Sequence, residues 1–308
     1  MIDILSKRYL YLIVSALVIV PGLIILLSGG LPLSIDFTGG SLLEIRFDGG
    51  KTLQTEALKN IYEAAGIDDA QIQTTENETT LIRSSFLSNE TRDSVLNAMR
   101  SESGSEEVKV IRFDSVGPSI GSQVASRAAQ AVGIAALAVA FFIRFVFRKV
   151  PNAFRYGVCA IIAMIHDVAV VFSVVGIGAR FFGWQIDALF LTALLTVIGF
   201  SVQDKVVVFD RIRENSNVYR RLDYETLVNH SIVQTLQRSI NTQLMTVEFL
   251  LLALALFGGV TLQEFAVILL VGLFSGTYSS IFIAAPILVV WEKREWQSWF
   301  GRQKANRA

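Results

Sequence analysis

Long uncharged apolar runs are the sequence feature that most restricts how this chain can fold. The first run, from Tyr9 to about Leu27, contains no charged side chain. A helix needs about 20 predominantly apolar residues to cross a bilayer, and this run reaches that length. The whole chain is 52% hydrophobic and only 18% charged. Several such runs in one chain predict a polytopic α-helical membrane protein.

Six transmembrane helices are predicted, arranged as one helix, a long polar segment and then five helices close together. Their approximate bounds are Tyr9–Leu27, Ala128–Phe147, Phe154–Val175, Ile186–Phe209, Ile240–Phe257 and Leu262–Trp291. The first run follows Lys7 and Arg8 and superficially resembles a signal peptide. It is longer than a typical signal core and lacks a small-x-small cleavage pattern, so we expect an uncleaved helix.

The predicted organisation has four parts with a defined orientation. Residues 1–28 hold a cytoplasmic N-terminus and the first helix, residues 29–123 an extracytoplasmic α+β domain, residues 124–291 a five-helix transmembrane bundle, and residues 292–308 a cytoplasmic tail. Basic residues in short loops favour the cytoplasmic side of a membrane. They occur before the first helix, between the second and third, between the fourth and fifth, and after the sixth, whereas the opposite short loops hold only Arg180. Both termini are therefore predicted to be cytoplasmic.

The polar segment between the first two helices has its own pattern of secondary structure. Alternating or β-branched runs predict strands, and helical spacing of apolar residues predicts two helices. The strands are Ser41–Phe47, Ala70–Thr75, Thr79–Ser84 and Val108–Val116, and the helices are Thr52–Ala65 and Asn89–Arg100. The order β-α-β-β-α-β predicts a ferredoxin-like, split βαβ domain. Ser88 is expected to cap its second helix.

Residue counts exclude several classes of function. Cys159 is the only cysteine, so the chain forms no intrachain disulfide and no cysteine-based metal site, and two histidines are too few for a His-rich centre. A formal net charge of zero does not favour a nucleic-acid binder. The sequence contains no nucleophile–base–orienter set and no phosphate-binding loop. We therefore expect a protein that is not an enzyme and that needs no metal or cofactor.

Asp204 lies inside the apolar run of the predicted fourth helix. An ionisable group at such a depth costs about 2.5–3.5 kcal/mol on insertion scales, so it should face protein or water rather than lipid. Arg238 is predicted at a similar depth in the fifth helix, and Ser201 and Thr242 lie one turn from Asp204 and Arg238 respectively. A nearby arginine favours the charged form of a carboxylate, whereas burial disfavours it. These residues leave two interpretations open, a proton relay and a static ion pair between helices.

Two further polar sites interrupt apolar runs. His166 and Asp167 lie midway along the predicted third helix, and Glu248 lies well inside the fifth. A His-Asp metal site would need further ligands that this chain lacks, so the pair is expected to bind water or to pack against the fourth helix. Whether it joins a proton path stays open. Glu248 is protonated, paired or facing a wet cleft, and the sequence does not choose among these states.

Several stretches of the sequence together match one known family. They are Ile35–Gly40 with Asp36, Gly39 and Gly40; Ala163–Asp167; Ala193–Ser201; Asp204 with Val206–Asn215, including Asp210 and Arg211; and Gly276–Pro286. The combination resembles the SecF family of bacterial protein-export subunits, within the resistance-nodulation-division superfamily. The resemblance extends from the first predicted helix to the sixth. It implies a multi-pass protein of the bacterial inner membrane that uses the proton-motive force to help move unfolded polypeptide outward.

The resemblance also implies partners and site residues. Family members act with SecD, which supplies the other six-helix half, and associate with the SecYEG channel, often with YajC and YidC. In the family, an aspartate of the fourth helix and an arginine of the fifth form the proton relay, and these correspond to Asp204 and Arg238. Two alternative functions stay open. One is a passive scaffold linking SecYEG with YidC, and the other is a small-molecule or lipid exporter of the same superfamily.

The sequence departs from the family pattern beside Asp204. The family usually reads Asn-Asp-Thr where this chain has Gln203, Asp204 and Lys205. Lys205 is expected either to extend to the cytoplasmic face or to compete with Arg238 for Asp204. In the second case it would keep Asp204 ionised and impair proton uptake. Glu248 would balance the charge of Lys205 if the helices bring the two together.

Overall fold

The computed structural model describes residues 3–47, 53–74, 79–103, 108–149, 153–243, 249–257 and 260–296. The chain divides into two compact units. One comprises residues 33–130, and the other comprises residues 1–32 together with residues 131–308. Predicted site residue Glu248 lies outside the described residues.

The described residues form helices and strands in the following order. The helices are α1 (Arg8–Gly29), α2 (Ile35–Thr38), α3 (Thr55–Ala64), α4 (Asn89–Ser103), α5 (Pro118–Val146), α6 (Ala153–Phe182), α7 (Ala188–Val218), α8 (Tyr224–Gln243), α9 (Phe249–Phe257), α10 (Val260–Ser279) and α11 (Ala285–Glu292). The strands are β1 (Gly40–Phe47), β2 (Gln71–Thr74), β3 (Thr79–Ser84) and β4 (Val108–Val116). A π-helical turn, Ser280–Ala284, joins α10 to α11, and 3₁₀ turns occupy Leu5–Lys7 and Phe147–Lys149.

The smaller unit contains a four-stranded antiparallel sheet. β1 pairs with β3 on one side and with β4 on the other, and β2 pairs with β3, which gives the order β2-β3-β1-β4. Since β3 lies between β1 and β2, the β1-α3-β2 unit is split, as the sequence predicts for a ferredoxin-like domain. The backbone N–H of Thr91 donates to Ser88 Oγ at 3.1 Å, so the predicted cap of α4 is confirmed.

The core of this unit lies between the sheet and its two longer helices. Leu43 and Ile45 alternate along β1 and are fully buried, because successive strand residues point to opposite faces. They belong to the same apolar cluster as Leu58 and Tyr62 of α3 and Met99 of α4. The helical spacing of apolar residues that predicts α3 and α4 is therefore the spacing that buries them against β1.

Two consecutive glycines connect α2 to β1, and each is required by the local backbone. Gly39 has φ +74° and Gly40 has φ +131°, conformations that residues with a Cβ rarely adopt. A Cβ on Gly39 would lie 2.8 Å from Pro118 Cα, and one on Gly40 would lie 2.7 Å from the carbonyl oxygen of Ser84. Asp36 lies in the first turn of α2, where its N–H donates to Ser34 Oγ at 3.2 Å. These motif residues therefore fix the entry of the chain into the sheet.

Long apolar helices account for most of the larger unit. Within the described part of the chain, five helical segments are long and apolar enough to cross a membrane: Leu5–Gly29, Pro118–Val146, Ala153–Phe182, Ala188–Val218 and Leu262–Glu292. These correspond to predicted helices one to four and six. The last is continuous through α10, the π-helical turn and α11.

The remaining predicted helix, Ile240–Phe257, differs from the structure at its start. Residues 244–248 lie outside the described part. α8, which begins at Tyr224, precedes them, and α9 follows them. α8 begins before the predicted bound, and it is amphipathic rather than uniformly apolar. Leu227, Val228 and Ile232 are buried in the core of the helical unit, whereas its other faces carry polar side chains.

α10 and α7 approach each other closely at two glycines. A Cβ on Gly272 would lie 2.2 Å from Val197 Cγ2, and one on Gly276 would lie 3.3 Å from Ser201 Cα. Small residues four apart on one helix face allow such an approach. This contact brings the polar residues of α10 and the following turn against those of α7.

Candidate functional site

Asp167 of α6 lies at the centre of a buried polar cluster between α6, α7 and α10. Its Oδ2 accepts hydrogen bonds of 2.7 Å from Lys205 Nζ and from the hydroxyls of Ser201 and Ser279. Its Oδ1 accepts a 2.7 Å hydrogen bond from the Ser275 hydroxyl and lies 3.1 Å from His166 Nδ1. The carboxylate is fully buried and has a donor on every side. The structure thus places Asp167 in the interior, where it contacts Ser201 and Lys205 of α7, with His166 beside it.

Lys205 supplies the positive charge of this cluster. Its side chain is fully buried, and its Nζ donates to Asp167 Oδ2 at 2.7 Å, to Ser201 Oγ at 2.6 Å and to the Ser201 carbonyl at 3.2 Å. An ammonium group has three N–H donors, and these three acceptors use all of them. The Lys205–Asp167 contact is thus a buried ion pair whose remaining hydrogen-bonding capacity is satisfied.

The structure contradicts the expectation that Lys205 extends to the cytoplasmic face, because its side chain is fully buried. As for the expected competition with Arg238, the ammonium of Lys205 donates to Asp167 and acts on Asp204 through its charge without a hydrogen bond. Consecutive residues on an α-helix point about 100° apart. Asp204 and Lys205 therefore face different neighbours although they are adjacent in sequence, and Lys205 faces α6. Ser201, expected beside Asp204, faces Asp167 for the same reason.

Asp204 has a sparser set of contacts. Its Oδ1 accepts a 2.9 Å hydrogen bond from the Ser239 hydroxyl of α8, and its Oδ2 accepts one of 2.8 Å from the Ser280 hydroxyl of the π-helical turn. Among the described residues no cation forms a salt bridge with this carboxylate. Asp204 is 8% exposed, whereas Lys205 beside it is 0% exposed. It is therefore buried without a direct counter-charge and keeps contact with open space.

That space is a small cleft of about 50 Å³. Its lining is formed by Phe200, Gln203, Asp204, Val207, Arg238, Ser239 and Thr242. A water needs roughly 10–15 Å³ of such volume and two or more polar partners, so the cleft has room for a few waters. Arg238 and Thr242 are exposed side chains at its wall. The structure thus gathers Asp204, Arg238 and Thr242 around one cleft, with Ser239 rather than Arg238 in contact with the carboxylate.

The other predicted site residues lie away from these two carboxylates. Asp210 pairs with Arg213 at 2.7 Å, and Arg211 donates to Glu214 and to Gln234. These contacts lie on exposed surface at the end of α7. The Arg211–Gln234 hydrogen bond ties α7 to α8, the two ion pairs lie within α7, and nothing in their geometry links them to Asp204.

Four serines of the site were not singled out as hydrogen-bond donors by the sequence. They are Ser239, Ser275, Ser279 and Ser280, and all four are buried. Ser275 and Ser279 are four residues apart, so they lie on one face of α10, and both donate to Asp167. From the sequence, a pattern of small residues in an apolar helix indicates close packing between helices. That these hydroxyls donate hydrogen bonds to a carboxylate follows only once the residue facing them is known to be Asp167.

Comparison with known proteins identifies the family. A family model described as protein export membrane protein SecD/SecF, C-terminal, matches residues 95–294, and one for the SecD/SecF GG motif matches residues 24–50. The chain belongs to the SecD/SecF family. Its membership gives it a role in protein translocation and identifies it as a protein of the bacterial cytoplasmic membrane.

Individual SecF and SecDF proteins match nearly the whole chain. It is 66% identical over 303 residues to the protein translocase subunit SecF of Anaerolinea thermophila, covering 98% of each chain. It is 43% identical over 320 residues to SecF of Thermobaculum terrenum, covering 100% of this chain and 99% of that one. The crystal structure of SecDF from Thermus thermophilus, a translocon-associated membrane protein, is similar at 32% identity with a TM-score of 0.80 over 95% of this chain. The chain spans 39% of that SecDF protein.

Proposed function

We propose that this SecF-family subunit works with SecD and uses the proton-motive force to assist late-stage translocation of unfolded polypeptide through SecYEG. Asp204 is the group that gains and loses the proton in this proposal. The observation that carries it is the difference between two buried carboxylates. Asp167 has a fully bonded ammonium partner, whereas Asp204 has two serine hydroxyls and an edge on a cleft of about 50 Å³.

A carboxylate can exchange protons only if neither of its states is fixed by the surroundings. The ammonium of Lys205 fixes Asp167 as an anion, because removing that charge would leave a buried cation uncompensated. Serine hydroxyls can donate to an ionised carboxylate and can accept from a protonated one, so they hold Asp204 in either state. The cleft supplies a route by which water can deliver the proton. These properties suit Asp204 and not Asp167 to proton exchange.

Arg238 acts on Asp204 through the cleft in this proposal. It lines the same space but makes no salt bridge with the carboxylate in the described structure. Approach of its guanidinium would favour the ionised form of Asp204, and retreat would favour the protonated form. A change in that separation is sufficient to couple helix packing to proton uptake and release, as the family correspondence of Asp204 and Arg238 implies.

The available energy suits a change of packing. One proton crossing 100 mV releases about 2.3 kcal/mol. That amount shifts a two-state equilibrium by roughly 50-fold, since about 1.4 kcal/mol corresponds to a factor of ten. It is well below the 5–15 kcal/mol that typically stabilises a folded domain. Repeated small pulls on a chain that is already unfolded fit this scale.

The SecDF relative supports SecD as the direct partner, since it combines both parts in one chain. We further propose association with SecYEG, YajC and YidC, cytoplasmic termini, and an extracytoplasmic position for residues 29–123, in keeping with the distribution of basic residues. The protein then acts without enzymatic chemistry and without a cofactor other than protons. Lys205, which departs from the family pattern, pairs with Asp167 and leaves both Asp204 oxygens to serine hydroxyls, which supports proton exchange at Asp204.

Export into inverted membrane vesicles tests the proposal. Asp204→Asn should remove the part of export that an uncoupler abolishes in the wild type, while SecD still copurifies. Glu214→Gln is the matched control, because it neutralises an exposed carboxylate on the same helix and should leave that part intact. If Asp204→Asn responds to the uncoupler as the wild type does, Asp204 is not the proton carrier. Failure of SecD and the channel to copurify with the wild type would favour an exporter.

A further inference from the structure

The hydroxyl of Ser280 has two acceptors and only one proton. Its Oγ lies 2.8 Å from Asp204 Oδ2 and also 2.8 Å from the carbonyl oxygen of Thr277. A serine hydroxyl can donate only one hydrogen bond at a time, although its oxygen can also accept. Ser280 is fully buried, so water does not compete for either contact. The direction of this hydroxyl is therefore decided by which of the two oxygens is the stronger acceptor.

The protonation state of Asp204 decides which of the two oxygens accepts the hydrogen bond from Ser280. An ionised carboxylate is a stronger acceptor than a peptide carbonyl, so Ser280 donates to Asp204 while Asp204 is charged. A protonated carboxyl can instead donate its O–H to Ser280 Oγ. The hydroxyl of Ser280 then turns to the Thr277 carbonyl, which lies at the same distance. The proton taken up stays on Asp204, the hydrogen bond between Asp204 and Ser280 reverses its direction, and Ser280 donates to the Thr277 carbonyl instead.

Ser280 occupies the position where the helix changes its hydrogen-bond pattern. It is the first residue of the π-helical turn Ser280–Ala284, which separates α10 from α11. Such turns are rare and occur frequently at functional sites. A serine hydroxyl that bonds a carbonyl of the preceding turn competes with the backbone ladder and bends a helix. A switch of the Ser280 hydroxyl to Thr277 therefore alters the helix at the place where its geometry already deviates.

The neighbouring serine, Ser279, donates to a carboxylate whose protonation does not change. Ser279 donates to Asp167 Oδ2 at 2.7 Å, with the Gly276 carbonyl farther away at 3.1 Å. Since Asp167 stays paired with Lys205, Ser279 keeps a constant acceptor. Ser279 and Ser280 thus bond two different carboxylates, Asp167, whose protonation stays constant, and Asp204, whose protonation changes.

We propose that Ser280 is a positioning residue that transmits the protonation of Asp204 to the junction between α10 and α11. This inference rests on the proposed proton exchange of Asp204. The other ionisable side chains around the junction include Tyr156, Cys159, His166 and Asp167 on α6, Lys205 on α7, Arg238 on α8, and the tyrosines Tyr11 of α1 and Tyr278 of α10. Asp167, the other carboxylate near the junction, is bonded by Ser279, whereas Ser280 bonds Asp204.

Two measurements on the full chain with SecD in lipid nanodiscs test the inference. Infrared spectroscopy follows the protonated carboxyl band of Asp204 with pH, identified by its loss in Asp204→Asn. Amide hydrogen exchange of residues 277–288 is measured at the two ends of that titration, and each rate is divided by the intrinsic rate at its pH to give a protection factor. In the wild type the protection factors of this segment should differ by about 2- to 10-fold between the ends, the effect of one rearranged hydrogen bond. In Ser280→Ala the carboxyl band should still titrate, while this ratio of protection factors, the exchange ratio, falls to about 1.

Ser239→Ala is the matched control. It removes the other serine donor to Asp204, at a similar distance and burial, but it lies on α8 away from the π-helical turn. Its exchange ratio should stay in the wild-type range. Persistence of the wild-type ratio in Ser280→Ala overturns the inference, as does an equal loss in Ser239→Ala. If the Asp204 band does not titrate in the wild type, the proposed proton exchange fails as well, so the two failures are distinguishable.

Discussion

Asp167 and Asp204 share a residue type and a helical environment, yet their surroundings give them opposite roles. Asp167 is charge-paired with Lys205 and hydrogen-bonded by three serines. Asp204 has two serine donors and borders a cleft. A buried charge is tolerated when it is paired and fully bonded, and its removal is costly because the partner is left alone. The static ion pair considered for Asp204 and Arg238 is found instead between Asp167 and Lys205.

Isosteric substitutions should separate these two roles. Asp167→Asn is expected to destabilise the protein by about 3–5 kcal/mol, because the buried ammonium of Lys205 loses its counter-charge. Asp204→Asn is expected to change stability by no more than about 1.5 kcal/mol, since an amide oxygen still accepts a serine hydroxyl. Thermal unfolding of the full chain in one lipid environment measures both. The double variant Asp167→Leu with Lys205→Met removes both charges and should recover most of the loss. Equal stability of the two asparagine variants would contradict this assignment.

At the scale of elements, backbone geometry explains why particular segments carry the family motifs. The consecutive glycines Gly39 and Gly40 combine a positive φ with a close approach to Pro118 and Ser84. The π-helical turn lies within the last apolar span and presents Ser280 to Asp204. α8 is amphipathic, so it contributes Ser239 from its buried face while Arg238 stays exposed. The glycines thus allow the chain to enter the sheet, and the turn and α8 each place one serine against Asp204.

The glycine motif can be compared with a glycine that has open space around it. Gly66 has φ +81° and open space around its Cα, whereas a methyl group added to Gly39 would lie 2.8 Å from Pro118 Cα. Gly66→Ala should cost about 1–2 kcal/mol from its positive φ alone. Gly39→Ala should cost more, because its φ of +74° with ψ of 165° is a conformation that essentially only glycine adopts and because the methyl group also meets the backbone of Pro118. Hydrogen exchange of β1 in the full chain gives the comparison. Equal effects of the two substitutions would contradict the added cost expected at Gly39.

At the scale of the whole helical unit, a charged network joins distant parts of the chain. Arg8 pairs with Glu225 and with Glu295 at 2.7 Å each, and Lys293 pairs with Glu225. The backbone N–H of Ile4 donates to Asn229 Oδ1 at 2.9 Å. The segment before α1, the start of α8 and the end of α11 are thus held together although they are far apart in sequence. Such partly exposed pairs contribute modestly and are weakened by salt.

This network should make stability depend on pH in a defined direction. A hydrogen bond from Lys293, together with Arg8, lowers the pKa of Glu225 below its ordinary value of 4.5. A group with a lowered pKa contributes stability that is complete above the ordinary value and is lost as pH falls through the folded value. Hydrogen bonding to Glu225 raises the pKa of Lys293 above 10.5, so its contribution is lost only as pH rises through that raised value. The network should therefore be intact across neutral pH.

Thermal unfolding between pH 7 and strongly acidic pH checks the Glu225 contribution. The wild-type midpoint should fall as the pH drops below about 4.5, and Glu225→Gln should show a smaller fall because it has no proton to gain. Glu214→Gln removes an exposed carboxylate outside this network and serves as the control. A wild-type pH profile in Glu225→Gln would show that the network does not contribute to acid sensitivity.

The sequence by itself determined the elements whose signal is local. Apolar runs specify the long spans, alternation and helical spacing specify the β-α-β-β-α-β order, and the buried carboxylate at Asp204 is evident from its apolar flanks. Only the tertiary structure decided which side chains meet. Lys205 and Asp167 are 38 residues apart, and Ser280 and Asp204 are 76 apart. Such contacts depend on how whole helices rotate and pack, and a rotation of about 100° between adjacent residues is enough to give Asp204 and Lys205 different partners.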